Sequence, residues 1–120
     1  METSYDVGRR AELLVQKSLW SKNYRVKDVS TLRMGYDLLV NDKYRVEVKS
    51  LRGQTTVKLD GEKFDILAVA VLTPIRDSIY YLKNKKDLNN MVAKNTNNLT
   101  KINSDIIKKY FTSKTKEVFI

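Results

Sequence analysis

Residues 6–21, DVGRRAELLVQKSLWS, place Val7, Ala11, Leu14, Val15 and Leu19 at helical spacing on one face, with Asp6 standing where an N-cap belongs. NYRVKDV (23–29) alternates as a strand. Residues 34–40 and 44–50 alternate again around a short polar turn and predict a hairpin, and TTVKL (55–59) predicts a short β piece. FDILAVAVL (64–72) is almost continuously apolar between DGEK and TPIRD, as a central strand buried on both faces would be. SIYYL (78–82) predicts the next strand, paired with it.

Beyond residue 83 the pattern weakens into asparagine and lysine. A short helix around 86–93 followed by a loop is the reading there, and then a helix over 105–111 capped by Ser104. Ile106, Ile107, Tyr110 and Phe111 would complete the core, and Trp20 is also placed in it. The order predicts one α/β (α+β) domain over residues 1–120, with a central mixed sheet of four to five strands flanked by helices.

Composition narrows the chemistry. The 120 residues include neither cysteine nor histidine, which excludes a thiolate nucleophile, imidazole acid–base catalysis and typical zinc sites. Any metal must be held by oxygen, favouring magnesium, manganese or calcium. The net charge of +9 is not confined to a tail: residues 1–60 hold 12 basic against 8 acidic side chains, and residues 61–120 hold 11 against 6. A basic domain of this kind points to a polyanion, most often nucleic acid. No apolar run is long enough to span a bilayer, and the charged start METSYDVGRRAELL lacks a signal peptide's apolar segment, so an intracellular, cytoplasmic protein without membrane partners is expected.

The hairpin carries the most information. If Leu38 and Val40 face the core together with Tyr44, Val46 and Val48, then Val40 opposes Tyr44 and Leu38 opposes Val46. A three-residue turn, Asn41-Asp42-Lys43, closes that register. Asp37 would then lie directly opposite Glu47, Cβ atoms about 4.5–5.5 Å apart, with Gly35 opposite Lys49. Two facing carboxylates repel; a divalent cation between them would remove the repulsion. A solvated hairpin face and a metal site with Lys49 beside it both fit the pattern at this point.

In order along the chain, GYDLLV followed by VEVKS resembles the catalytic hairpin of the PD-(D/E)xK nuclease superfamily, the restriction-endonuclease-like fold. GRRAE (8–12) resembles the Gly-x-x-x-Glu helix start of archaeal Holliday junction resolvases. The resemblance covers about residues 6–72. It implies that Asp37 and Glu47 bind a divalent metal, Mg2+ or Mn2+, with the main-chain carbonyl of Val48, and that Glu12 binds a second metal or a metal-bound water. Lys49 would position or activate the attacking water. Read from the helix alone, Glu12 is equally a first-turn glutamate favoured by the helix dipole.

Three features depart from the family pattern. Tyr36 stands where the motif has proline, and Ser30 and Thr31 are both candidates for the resolvases' loop serine. LRGQTTVKLDGEK shows no helical pattern where the resolvases insert a helix, and so resembles small homing-type endonucleases instead. The resemblance implies a magnesium-dependent endodeoxyribonuclease acting on DNA, with branched four-way junctions as one substrate class, a homodimer as its assembly, recombination or repair as its setting, and no small-molecule cofactor. A non-cleaving nucleic-acid-binding module on the same fold is the alternative. Arg9, Arg10, Arg33, Arg52 and Lys58 surround the hairpin and are the candidates for phosphate contacts.

Overall fold

In the computed structural model, which describes residues 2–58, 63–83 and 99–120, helix α1 runs over Ser4–Ser21. Thr3, not Asp6, is its N-cap. The Thr3 hydroxyl accepts the Asp6 N–H at 3.1 Å and the Asp6 carboxylate accepts the Thr3 N–H at 3.0 Å. This capping box satisfies two terminal donors where a cap at Asp6 would satisfy one, so the helix starts earlier than its apolar stripe. Val7, Ala11, Val15 and Leu19 are buried on that stripe. Trp20 is 51 % exposed and does not belong to the core. It follows Leu19 by one position, about 100° around the helix, and so points off the buried row.

The strands are β1 (Val26–Asp28), β2 (Leu38–Val40), β3 (Tyr44–Leu51), β4 (Gln54–Lys58), β5 (Ile66–Leu72), β6 (Asp77–Lys83) and β7 (Leu99–Asn103). A five-stranded mixed sheet has the order β1-β2-β3-β5-β6, with only the β3–β5 pair parallel. The first two strands are shorter than their alternating stretches because a 3-10 turn over Ser30–Leu32, Arg33 at φ 53° and Gly35 at φ 89° interrupt the chain between them. β5 lies between β3 and β6, and Ile66, Leu67, Ala68, Val69 and Ala70 are each at most 2 % exposed, as its unbroken apolar run predicted.

Each face of this sheet has its own cover. Ile66, Ala68 and Ala70 pack with Leu38, Val40, Val46 and Val48 against α1 and against Val118 and Phe119 of the last short helix, α3 (Thr115–Val118), and its C-cap. On the other face, Leu67 and Val69 pack with Leu51, Val57, Phe64, Ile102 and Ile107. Val57 and Ile102 belong to a separate two-stranded antiparallel ribbon, β4–β7, and Ile107 to α2 (Ser104–Tyr110).

The ribbon corrects two expectations. β4 leaves the main sheet, and its partner β7 occupies a stretch read as loop. A five-residue strand whose partner lies some 45 residues away leaves little local signal. The helix expected around 86–93 lies outside the described residues. Asn103 replaces Ser104 as the cap of α2, its Oδ1 accepting the Ile106 N–H at 3.0 Å. Ile106, Ile107, Tyr110 and Phe111 do join the core, and no described helix is long and apolar enough to cross a membrane.

Candidate active site

The β2–β3 register is the one demanded by the apolar alternation: Val40 opposes Tyr44 and Leu38 opposes Val46. Asn41 and Asp42 take the left-handed conformation in the turn, at φ 54° and 55°. The ladder then stops at Leu38–Val46, so Asp37 is not paired with Glu47 as a regular cross-strand neighbour. The Asp37 N–H donates to the Val46 carbonyl at 2.9 Å, and its carboxylate accepts the Val48 N–H at 2.8 Å. A side chain thus takes over the acceptor role that a strand carbonyl would have filled. Gly35 likewise does not face Lys49; a Cβ there would meet the Lys63 side chain at 3.0 Å.

The departure from regular pairing still brings the two acids together. The Asp37 and Glu47 carboxyls lie in hydrogen-bonding contact. Burial, that contact and the Asp37 charge push the Glu47 carboxyl up to about 8, against the opposing pull of Lys49 and the Val48 amide. At neutral pH without a cation, Glu47 therefore keeps its proton. Glu12, on α1, is raised by burial and by the charges of Asp37 and Asp28, with Arg9 and Ser30 acting in the opposite direction. It senses Asp37 electrostatically. Among the described residues, however, no group of three or more acidic side chains converges closely enough to hold a metal. The compact donor set is Asp37 with Glu47, and Glu12 stands beside it.

One polar cluster was not foreseen. Asp28, at the end of β1, accepts from Arg9 Nη1 at 2.5 Å, Gln16 Nε2 at 3.1 Å, the Ser30 N–H at 3.0 Å and the Ser30 hydroxyl at 2.7 Å. Burial alone would raise its pKa, but the bonds from Arg9, Ser30 and Gln16 outweigh it and hold the carboxyl at about 2. Gln16, a polar residue beside the apolar stripe of α1 and only 4 % exposed, is the sequence feature that could have revealed the cluster.

A cavity of about 290 Å³ opens over the acid pair, lined by Ser30, Arg33, Gly35, Tyr36, Asp37, Glu47, Lys58, Lys63 and Phe64. Of the five expected phosphate ligands, Arg33 and Lys58 reach this rim, and Lys63 joins them from just ahead of β5. The other three do not. Arg9 is tied to Asp28 and lies 3.8 Å from Glu12; Arg10 and Arg52 both pair with Glu2, at 3.1 and 2.7 Å. Intramolecular acids have taken these arginines, whose positions in the sequence look equivalent to the rest. Lys49 is outside the cavity lining, but its charge acts on Glu47 from the same strand face.

The chain matches no protein-family model and no curated protein. Among solved structures its fold is similar to that of a bacterial homing endonuclease, I-Ssp6803I, with a TM-score of 0.61. The similarity covers 84% of this chain and 77% of that one at 14% sequence identity. At this identity the likeness is one of fold alone: a mixed central sheet flanked by helices.

Proposed function

We propose that the chain is a metal-dependent endodeoxyribonuclease of the PD-(D/E)xK type. The observation that carries this reading is the Asp37–Glu47 contact at the floor of a cavity rimmed by Arg33, Lys58 and Lys63. A half-buried pair of carboxyls is unfavourable in itself, and two hard oxygen donors suit magnesium or manganese. The similarity of fold to a bacterial homing endonuclease supports the same conclusion.

In this reading Asp37 and Glu47, with the Val48 main-chain carbonyl, would hold the cation, and Glu12 would help to orient water beside it. When bound, the cation would stabilise charge developing on the scissile phosphate. Lys49 orients the attacking water, and Arg33, Lys58 and Lys63 hold the flanking phosphates. A homodimer would supply the two sites that paired cuts in a four-way junction require.

A non-cleaving DNA-binding module is the second reading. It is favoured by the lack, among the described residues, of a three-acid cluster. Cleavage of four-way junctions, linear duplex and single strands, each with magnesium or with EDTA, separates the two. Metal-dependent cutting that Asp37→Ala and Glu47→Ala abolish, with binding retained, is the expected result. Absence of cutting on every substrate would leave the module reading.

A further inference from the structure

The β4–β7 ribbon meets the site only at Lys58, the last residue of β4, and the rest of it extends away from the acids. In an antiparallel pair, directly opposed residues share a face. Thr55–Ile102 and Val57–Thr100 form the inner face, with Val57, Thr100 and Ile102 at most 6 % exposed and packed toward the second core. Gln54–Asn103 and Thr56–Lys101 form the outer face, on which Lys58 also lies. Gln54, Thr56, Lys58 and Lys101 are exposed there, and none of the four makes a side-chain hydrogen bond or ion pair among the described residues. Lys58 belongs both to this outer face and to the cavity wall over Asp37 and Glu47.

On the nuclease reading, we infer that this outer face is the sequence-reading surface, laid into the major groove of B-form DNA beside the phosphate to be cut. The dimensions agree. Five residues of strand extend about 14 Å from Lys58 to Gln54, roughly four base steps, and a groove about 12 Å wide admits a two-stranded ribbon. The chemistry also agrees. Gln54 can pair bidentately with adenine N6 and N7, Lys101 with guanine O6 and N7, and Thr56 offers a methyl and a hydroxyl. Lys58, at the cavity end, holds backbone phosphate and sets the register between the bases read and the bond cut. The buried inner row keeps the ribbon from twisting away, so these side chains are presented on a rigid backing. The deep, narrow major groove of duplex RNA would not accept it.

Selection from a randomised DNA duplex library, bound by the full-length chain in EDTA, tests this without requiring cleavage. Wild type is expected to enrich a preference over about four adjacent positions. Gln54→Ala/Thr56→Ala/Lys101→Ala should erase it while leaving binding to unselected DNA within about tenfold. Lys101→Ala alone should relax one position by roughly 5- to 150-fold. Replacing guanine and adenine by their 7-deaza analogues in the enriched sequence should weaken wild type and not the triple variant, since N7 lies only in the major groove. These are surface positions, and circular dichroism checks that the variants fold.

Enrichment that survives the triple substitution, insensitivity to the deaza analogues, tighter binding to duplex RNA, or no enrichment at all overturns the proposal. If no enrichment is accompanied by metal-dependent cutting, the nuclease reading stands and the ribbon reading falls. Enrichment that the triple variant loses, without cutting under magnesium, has the opposite meaning.

Discussion

The Asp37 carboxylate accepts the main-chain N–H of Val48 at 2.8 Å, so the residue that follows Glu47 holds Glu47's partner in place. The two acids are thereby kept in contact by a hydrogen bond that Asp37 cannot lose without leaving the donor of nearly buried Val48 unpaired; Val48 is 7 % exposed. Asp37→Asn keeps an oxygen for that amide and removes the charge. It should retain stability within about 1 kcal/mol while abolishing metal-dependent cleavage. Asp37→Ala should abolish cleavage and also cost about 1–3 kcal/mol, as read from denaturant unfolding.

The elevated Glu47 carboxyl makes the metal-free protein sensitive to alkali. Its folded pKa of about 8 lies above the ordinary 4.5, so the folded chain retains a proton that the unfolded chain releases. The associated stability is fully present below about pH 4.5 and is lost as pH rises through about 8. Thermal unfolding in EDTA should show Tm declining between pH 6 and 9. Glu47→Gln should flatten that decline, and a decline unchanged by the substitution would contradict the assignment.

Asp28 has the opposite sign. Its folded pKa of about 2 lies below 3.8, so its contribution is present above about pH 4 and disappears as pH falls toward 2. Asp28→Asn should reduce stability near neutral pH and shrink the loss on acidification. Acid titrations followed by far-ultraviolet circular dichroism would show a shallower transition for the variant.

Only part of the basic surface should matter to DNA. Arg33→Ala, Lys58→Ala and Lys63→Ala should each lower the salt dependence of binding by about 0.9 in log–log slope. Arg10→Ala and Arg52→Ala should change it much less, because Glu2 already occupies both side chains. Fluorescence anisotropy with a short labelled duplex over a range of salt concentrations would distinguish the two groups.

Trp20 is the sole tryptophan and half exposed. Its emission should be red-shifted and readily quenched by acrylamide in the folded state. Trp20→Ala should cost under about 1 kcal/mol, whereas Leu19→Ala, at a fully buried position, should cost about 2–5 kcal/mol.

Local periodicity by itself determined the stripe of α1, the central strand β5 and the β2–β3 register, because a slip of one residue there would turn Leu38, Val40, Val46 and Val48 out of the core. With that register, Asp37 and Glu47 were legible as a pair. Only the tertiary structure decided the rest. The ladder ends one residue early because a carboxylate bonds the Val48 amide. Arg9 and Arg52 are claimed by Asp28 and Glu2, distant in the chain, and Arg10 by that same Glu2, while Lys63 comes to the cavity rim beside Arg33 and Lys58. β4 finds its partner in Leu99–Asn103, across some 45 residues. Alternation and helical spacing are written between neighbours, so neighbours reveal them. Which acid takes which arginine, and which strand closes a ribbon, depends on the packing of distant segments, and no stretch of sequence carries that information alone.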